Sequence, residues 1–397
     1  MVQLHTMKNN KTLKKTFRKI HLYLGFTTGL VVFILAITGC AWVFHDEFKN
    51  LTDDYSQVTV QDQPFISPIQ AKQAALKVFP ENIIHGISYG QEGQAIEVIF
   101  YQAAPDEFYR SVYLNPYTAE VLHVTDHFSG FFAFMLKGHQ SLWLPEDIGT
   151  PITSYSTLLF LMIIISGIVL WWPSSKKQRK QRLSFDWNEK TKWKRKNYDL
   201  HSVVGFYSSV LGFLIAFTGV CIGLGWFTFL TYKAIGGEKS LYFLHPNNTS
   251  EISLSLEDPN NSIHKVFDIT KEQFPDYREI EIHLPAADTA SILVEVLYEE
   301  GQYHDADYLF YDQATAELVP TESIYGTYAD ADFSDLVLRM NYDIHVGTIF
   351  GLPGKIIVFF ISLVVASLPL TGFLMWYGRN YKKKKASQEQ LEYTEKV

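Results

Sequence analysis

The strongest constraint on this chain is a stretch that occurs twice. His21 is followed after four and five residues by Gly25 and Phe26, and after seventeen and eighteen by Thr38 and Gly39. His201 is followed at the same intervals by Gly205 and Phe206, then by Thr218 and Gly219. An almost uncharged apolar run lies between the marks in each copy. About 20 such residues cross ~30 Å of hydrocarbon as a helix. The pattern predicts a membrane-spanning helix with a histidine at its entrance, present in both halves of a duplicated chain.

The hydrophobic fraction, 47%, would suit a soluble protein; its distribution decides otherwise. Four windows are nearly free of charge and predict transmembrane helices over 21–44, 152–172, 201–230 and 354–376. Segments 1–20, 173–200 and 377–397 carry 22 of the 34 Lys and Arg, and only six of the 42 Asp and Glu. Lys and Arg near helix ends mark the cytoplasmic side. Both termini and the 173–200 loop are therefore expected inside, and the long acidic segments 45–151 and 231–353 outside. The basic start and following apolar run resemble a signal peptide, but the run exceeds the usual 7–15-residue core. Its Thr-Gly mark also recurs mid-chain, so helix one is expected to stay.

Each outside segment reads as an α+β unit. In the first, 69–78 has helical spacing, and 95–101, 111–114 and 119–124 read as strands around a turn at 115–118. In the second, 262–274 is helix-like; 291–298, 306–311 and 316–319 are strand-like, with a turn at 312–315. Thr118, Ala119 and Glu120 match Thr315, Ala316 and Glu317. Helices two and four match as well: His139 precedes Gly149 and Pro151, and His345 precedes Gly351 and Pro353. Ser166 and Gly167, before Trp171 and Trp172, match Thr371 and Gly372, before Trp376 and Tyr377. Self-similarity of this kind fixes architecture better than a single motif.

Four of the thirteen histidines stand in repeat register: His21 with His201 and His139 with His345. The topology places one pair at the cytoplasmic edge and the other near the outer edge. Two imidazoles on opposite faces of a flat ring suit low-spin b-type haem, so two haem b groups are expected. Gly25 and Gly29, with Gly205 and Ser209, would let a ring approach the backbone. Arg18, Lys19, Arg195 and Lys196 are candidate partners for haem propionates. His45, followed by Asp46 and Glu47, is the reserve outer ligand. His123, His127, His245, His264, His283 and His304 show no paired pattern and read as surface or core residues. Cys40 and Cys221 read as small buried residues. No CxxCH, phosphate loop, dinucleotide fingerprint or HExxH occurs. A flavin or nicotinamide domain is therefore not expected, nor is a nucleic-acid partner.

These marks, in this order over residues 13–380, resemble the PepSY-associated transmembrane family, iron-regulated inner-membrane proteins of bacteria. The outer segments resemble PepSY modules, whose closing strand follows a turn like 115–120. The resemblance implies an α-helical inner-membrane protein with four transmembrane helices, two periplasmic PepSY-like α+β domains and an internal duplication. It implies iron acquisition, since some members are similar to di-haem reductases that release iron from ferric siderophores. The implied iron ligands are His21, His201, His139 and His345. Some relatives carry a fused flavoprotein reductase that this sequence does not include. A separate cytoplasmic reductase or quinol is then the expected electron donor, and a ferric siderophore or other ferric chelate the substrate. The competing expectations are a membrane-anchored binding or regulatory protein without redox chemistry, and a siderophore or iron transport component.

Overall fold

The computed structural model describes residues 2–103, 107–173, 175–249, 263–285, 287 and 289–395. The first half runs through α1 (Val2–Trp42), α2 (His45–Thr52), α3 (Pro68–Leu76), β1 (Ile84–Tyr89), β2 (Ile96–Gln102), β3 (Phe108–Leu114), β4 (Val121–Asp126), α4 (Gly130–Ser141) and α5 (Glu146–Trp171). The second half runs through α6 (Lys176–Leu183), α7 (Trp193–Asp199), a π-helical turn (Leu200–Val204), α8 (Gly205–Gly223) and α9 (Gly225–Ala234). It continues with α10 (Ile263–Gln273), β5 (Glu279–His283), β6 (Ile292–Leu297), β7 (Asp307–Tyr311), α11 (Phe333–Val346) and α12 (Gly351–Glu395). The chain forms two compact units, a helical one from residues up to 43, 135–225 and from 344 on, and a sheet-bearing one from 44–134 and 226–343.

In the helical unit, four helical stretches are long and apolar enough to cross a membrane: Thr12–Thr52, Glu146–Trp171, Trp193–Gly223 and Thr348–Tyr381. Their outward faces carry Leu30, Val210, Leu214 and Phe360, all exposed. Helices apolar on every side suit hydrocarbon surroundings. α1 packs on α5 and α12, and α8 packs on the same two, so the four make a ring. Buried hydroxyls bond carbonyls of their own helices: Thr28 to Leu24 at 2.9 Å and Ser208 to Gly205 at 3.3 Å. Such back-bonding satisfies these hydroxyls within their own helices where water is absent.

The other unit is built on one antiparallel sheet of seven strands, ordered β4-β3-β2-β1-β5-β6-β7. Its apolar face carries Ile87, Tyr89, Val98, Phe100, Val112, Leu114, Ile280, Ile282, Val294 and Val296, which form the core with buried residues of α3 and α10. Ser67 and Gln70 start α3 with a reciprocal capping box. β1 and β5 join the two segments, with Gly86 opposite His283 and Tyr89 opposite Ile280. The segments expected as separate domains thus share one sheet. The sequence reading leaves out both joining strands, because β1 is interrupted by Gly86 and β5 has only two apolar residues. The expected strand at 316–319 is reduced to a bridge between Tyr311 and Leu318.

The two matched turns close alike. Asn115 Oδ1 accepts from Tyr117 and Thr118 backbone N–H, and Asp312 Oδ1 accepts from those of Ala314 and Thr315. Ala119 and Ala316 both take φ 61°, a left-handed conformation a non-glycine residue adopts only under local constraint. An ionic lock holds α11 by its first turn. The buried Asp335 carboxylate accepts from Tyr232 Oη at 2.6 Å and pairs with Lys239 Nζ at 2.7 Å. Burial works against its charge, but these two donors hold it below the usual carboxylate range.

Candidate functional site

The four repeat-register histidines meet in two pairs within the helical ring. His21 and His201 have ring centroids 6.2 Å apart, with the rings at 90°. His139 and His345 have centroids 6.0 Å apart, at 58°. His21 lies on α1, and His201 lies in the π-helical turn that leads into α8. Such turns recur at functional sites because they displace a side chain from ordinary helical register. His139 closes α4, just before α5, and His345 closes α11, just before α12.

Each histidine is seated on a neighbouring helix by a Ser/Thr–Gly pair. His21 Nδ1 lies 2.9 Å from Ser166 Oγ and 3.2 Å from Ile163 O. His201 Nδ1 lies 3.0 Å from Thr371 Oγ1. His139 Nδ1 lies 2.9 Å from Leu35 O and 3.3 Å from Thr38 Oγ1. His345 Nδ1 lies 3.0 Å from Ile215 O and 3.1 Å from Thr218 Oγ1. The adjoining glycine makes room for the ring. A Cβ at Gly167, Gly372, Gly39 or Gly219 would lie 3.3, 3.2, 3.1 or 3.0 Å from the Cε1 of His21, His201, His139 or His345, respectively.

These contacts fix the tautomer. Backbone carbonyls only accept hydrogen bonds. Each seating hydroxyl spends its single proton on its own helix: Ser166 on Ile163 O, Thr371 on Ser367 O, Thr38 on Ile34 O and Thr218 on Leu214 O. Toward the imidazole, the hydroxyl oxygen therefore accepts. All four Nδ1 atoms carry the proton, and all four Nε2 atoms are left as acceptors. Orientation of a ligating imidazole through a hydrogen bond from its other nitrogen is the usual support of a metal-binding histidine.

The separations suit one metal ion per pair. Ring bonds near 1.35 Å place each nitrogen about 1.1 Å from the ring centroid. Two metal–imidazole bonds of about 2 Å then set the centroids about 6 Å apart. Seventeen residues separate His21 from Thr38 along α1, and His201 from Thr218 along α8. At 1.5 Å per residue, the two pairs are anchored about 25 Å apart.

The other candidate residues divide. Gly25 has open space where a Cβ would stand; Gly29 packs on Pro369 and Gly205 on Leu368, so these two serve helix packing. Ser209 bonds Phe206 O at 2.7 Å. Arg18 and Lys19 are exposed. Arg195 is paired at 2.8 Å with the buried Asp199, and Lys196 sits over the Trp187 ring. His45 bonds Asp46 at 3.0 Å and packs on Phe132. His127 bonds Ser111, His123 stacks on Tyr55 and His304 bonds Asp343. Cys40 and Cys221 are buried and not joined in a disulfide. In the sequence the Ser/Thr–Gly pairs are visible only as repeat marks; that they seat the histidines appears in the fold. Thr38 and Thr218 stand seventeen residues after His21 and His201, which is the signal for two of the four seats; Ser166 and Thr371 stand 27 and 26 residues after His139 and His345 and share no such register.

The family described as the PepSY-associated TM region matches residues 18–379, nearly the whole described chain. The chain belongs to this PepSY-associated transmembrane family. It is a multi-pass membrane protein that also carries a separate antiparallel-sheet unit. The comparison with curated proteins finds no match.

Proposed function

We propose that this PepSY-associated membrane protein is a di-haem electron carrier that reduces a ferric chelate, such as a ferric siderophore, in iron acquisition. The observation that carries this reading is the seating of four imidazoles in two facing pairs, each Nδ1 tied back and each Nε2 left as an acceptor. His21 and His201 would hold one b-type haem, and His139 and His345 the second. Bound there, such a group supplies one-electron transfer. The chain's own contribution is to orient the four rings, fix their tautomer and exclude water from both ligand pairs.

The donor chemistry fits. Neutral imidazoles alone suit a metal that arrives with its charge balanced by a ring dianion. Gly25, one turn after His21 and with open space before it, suits a flat ring near α1. Arg195 is already committed to Asp199; Arg18 and Lys19 remain the propionate partners this reading favours. The clustering of Lys and Arg at 1–20, 173–200 and 377–397 supports an inner-membrane protein with both termini cytoplasmic. The sheet unit is then periplasmic, and the matched turns at Asn115 and Asp312 favour two duplicated PepSY-like modules within it. Ferric iron is held by hard oxygen donors; one-electron reduction weakens that hold, so release needs no hydrolysis of the carrier. The electron donor would be a separate reductase or quinol.

The test places the protein in vesicles with a reductant on the cytoplasmic side and an oxygen-ligated ferric chelate with a ferrous-trapping dye on the other. Wild type should turn over, and His139→Ala and His201→Ala should each lose at least ten-fold. Equal rates in wild type and both variants would refute the reading.

A further inference from the structure

The sheet unit carries a second histidine cluster, away from its apolar face. His85, Glu281 and His283 each offer a ligand atom, and the three atoms lie within 4.8 Å of one another. Among the described residues, it is the one group of three or more His, Cys, Asp or Glu so arranged. The rings of His85 and His283 are 4.8 Å apart at 87°. His283 Nε2 stands 3.6 Å from Glu281 Oε1 and 3.1 Å from Glu295 Oε1, yet it is buried and makes no aligned hydrogen bond.

The backbone is shaped for the cluster. β1 loses register with β2 between Ile84 and Gly86, a bulge centred on His85. Bulges re-aim a side chain and recur beside functional sites. Gly86 pairs with His283, and a Cβ there would run into the Glu281 carboxylate. The missing side chain is thus what admits Glu281. Glu281 pairs across the strands with Glu295, so two carboxylates and two imidazoles share this patch.

We propose that His85, Glu281 and His283 form a binding site for a divalent first-row transition ion, with Glu295 as a neighbouring charge. Two imidazoles and a carboxylate are a recognised donor set for zinc or ferrous iron that leaves open coordination positions. Metal bonds of about 2.0–2.2 Å keep donor atoms within ~4 Å of each other. Closing the cluster asks only a small swing of His85, whose exposure leaves it free to move and gives the ion a way in. The site does not depend on the haem reading.

Zinc(II) is the probe, because it is not confused with haem iron. Full-length protein, purified in detergent and stripped with chelator, is titrated with zinc against a chromophoric competitor. Wild type should bind one tight equivalent. His85→Ala and Glu281→Gln should each weaken it at least ten-fold, with an unchanged thermal melt, while His264→Ala binds as wild type. His85 is exposed, so its replacement tests ligation and not folding. No zinc bound by wild type, or equal affinity in all variants, would overturn the proposal. Haem absorbance on the same samples separates the two readings: failure of one leaves the other's signal intact.

Discussion

The two histidine-rich regions differ in what accompanies the imidazoles. In the helical ring, His21/His201 and His139/His345 stand as bare pairs, each Nδ1 bonded to a carbonyl or hydroxyl oxygen. At the β1–β5 seam, His85 and His283 share their space with Glu281 and Glu295. A carboxylate donor offsets part of a bare dication's charge, whereas a metal inside a dianionic ring arrives with that charge already balanced. Histidine geometry alone therefore does not name the ligand; the neighbouring charge does.

Ligand removal should separate the regions most sharply. Either His21→Ala or His345→Ala should lower haem from two per chain to one by pyridine haemochrome assay, and leave zinc binding at wild-type strength. His283→Ala should do the reverse. A variant at one region that abolishes both signals would break the distinction.

Crowding a seat comes next. Gly219→Ala sets a methyl 3.0 Å from His345 Cε1, tighter than ordinary contact, so the ring must turn. Haem occupancy at that pair should fall several-fold, or its midpoint potential should move. Gly29→Ala, whose methyl would meet only Pro369 at 3.5 Å, should keep full occupancy in the same redox titration.

Removing one seating hydroxyl should be milder. Thr38→Val leaves His139 Nδ1 its bond to Leu35 O at 2.9 Å. The loss should be about 0.5–1.5 kcal/mol, the net worth of one hydrogen bond, read as earlier haem release on heating. Thr371→Val removes the 3.0 Å bond to His201 Nδ1 and should give a loss of the same order by the same reading.

The smallest effect concerns acid. Asp335 is held below its ordinary range, so its contribution is present above the unfolded pKa and is lost as pH falls through the folded value. The sheet unit of wild type should therefore weaken below about pH 4, and Lys239→Met should weaken it already near neutrality. Circular dichroism melts across pH would read this, with haem absorbance as the helical reference.

Much of the helical ring is legible in the sequence. A helix of 3.6 residues per turn keeps His21 and Thr38 in fixed relation, and a second copy at His201 and Thr218 makes that relation visible. Who holds whom is not legible. Thr38 seats His139 and Ser166 seats His21, contacts between helices far apart in sequence. The sheet seam is less legible still. His85 and His283 meet only because β1 and β5 pair; Gly86 interrupts β1, and β5 alternates Ile280 and Ile282 with polar residues over only five positions. Sequence distance alone puts Arg195 and Lys196 near a haem; in the fold Arg195 pairs with Asp199 and Lys196 lies over the Trp187 ring.

Under the proposed function, facing imidazoles tied back at Nδ1 would hold two low-spin b-type haems. The direct measurement is a reduced-minus-oxidised optical spectrum of the purified full chain, with haem quantified per protein. Two b-type haems per chain with bis-imidazole low-spin bands are predicted. A chain that folds, inserts and binds no haem would contradict the account.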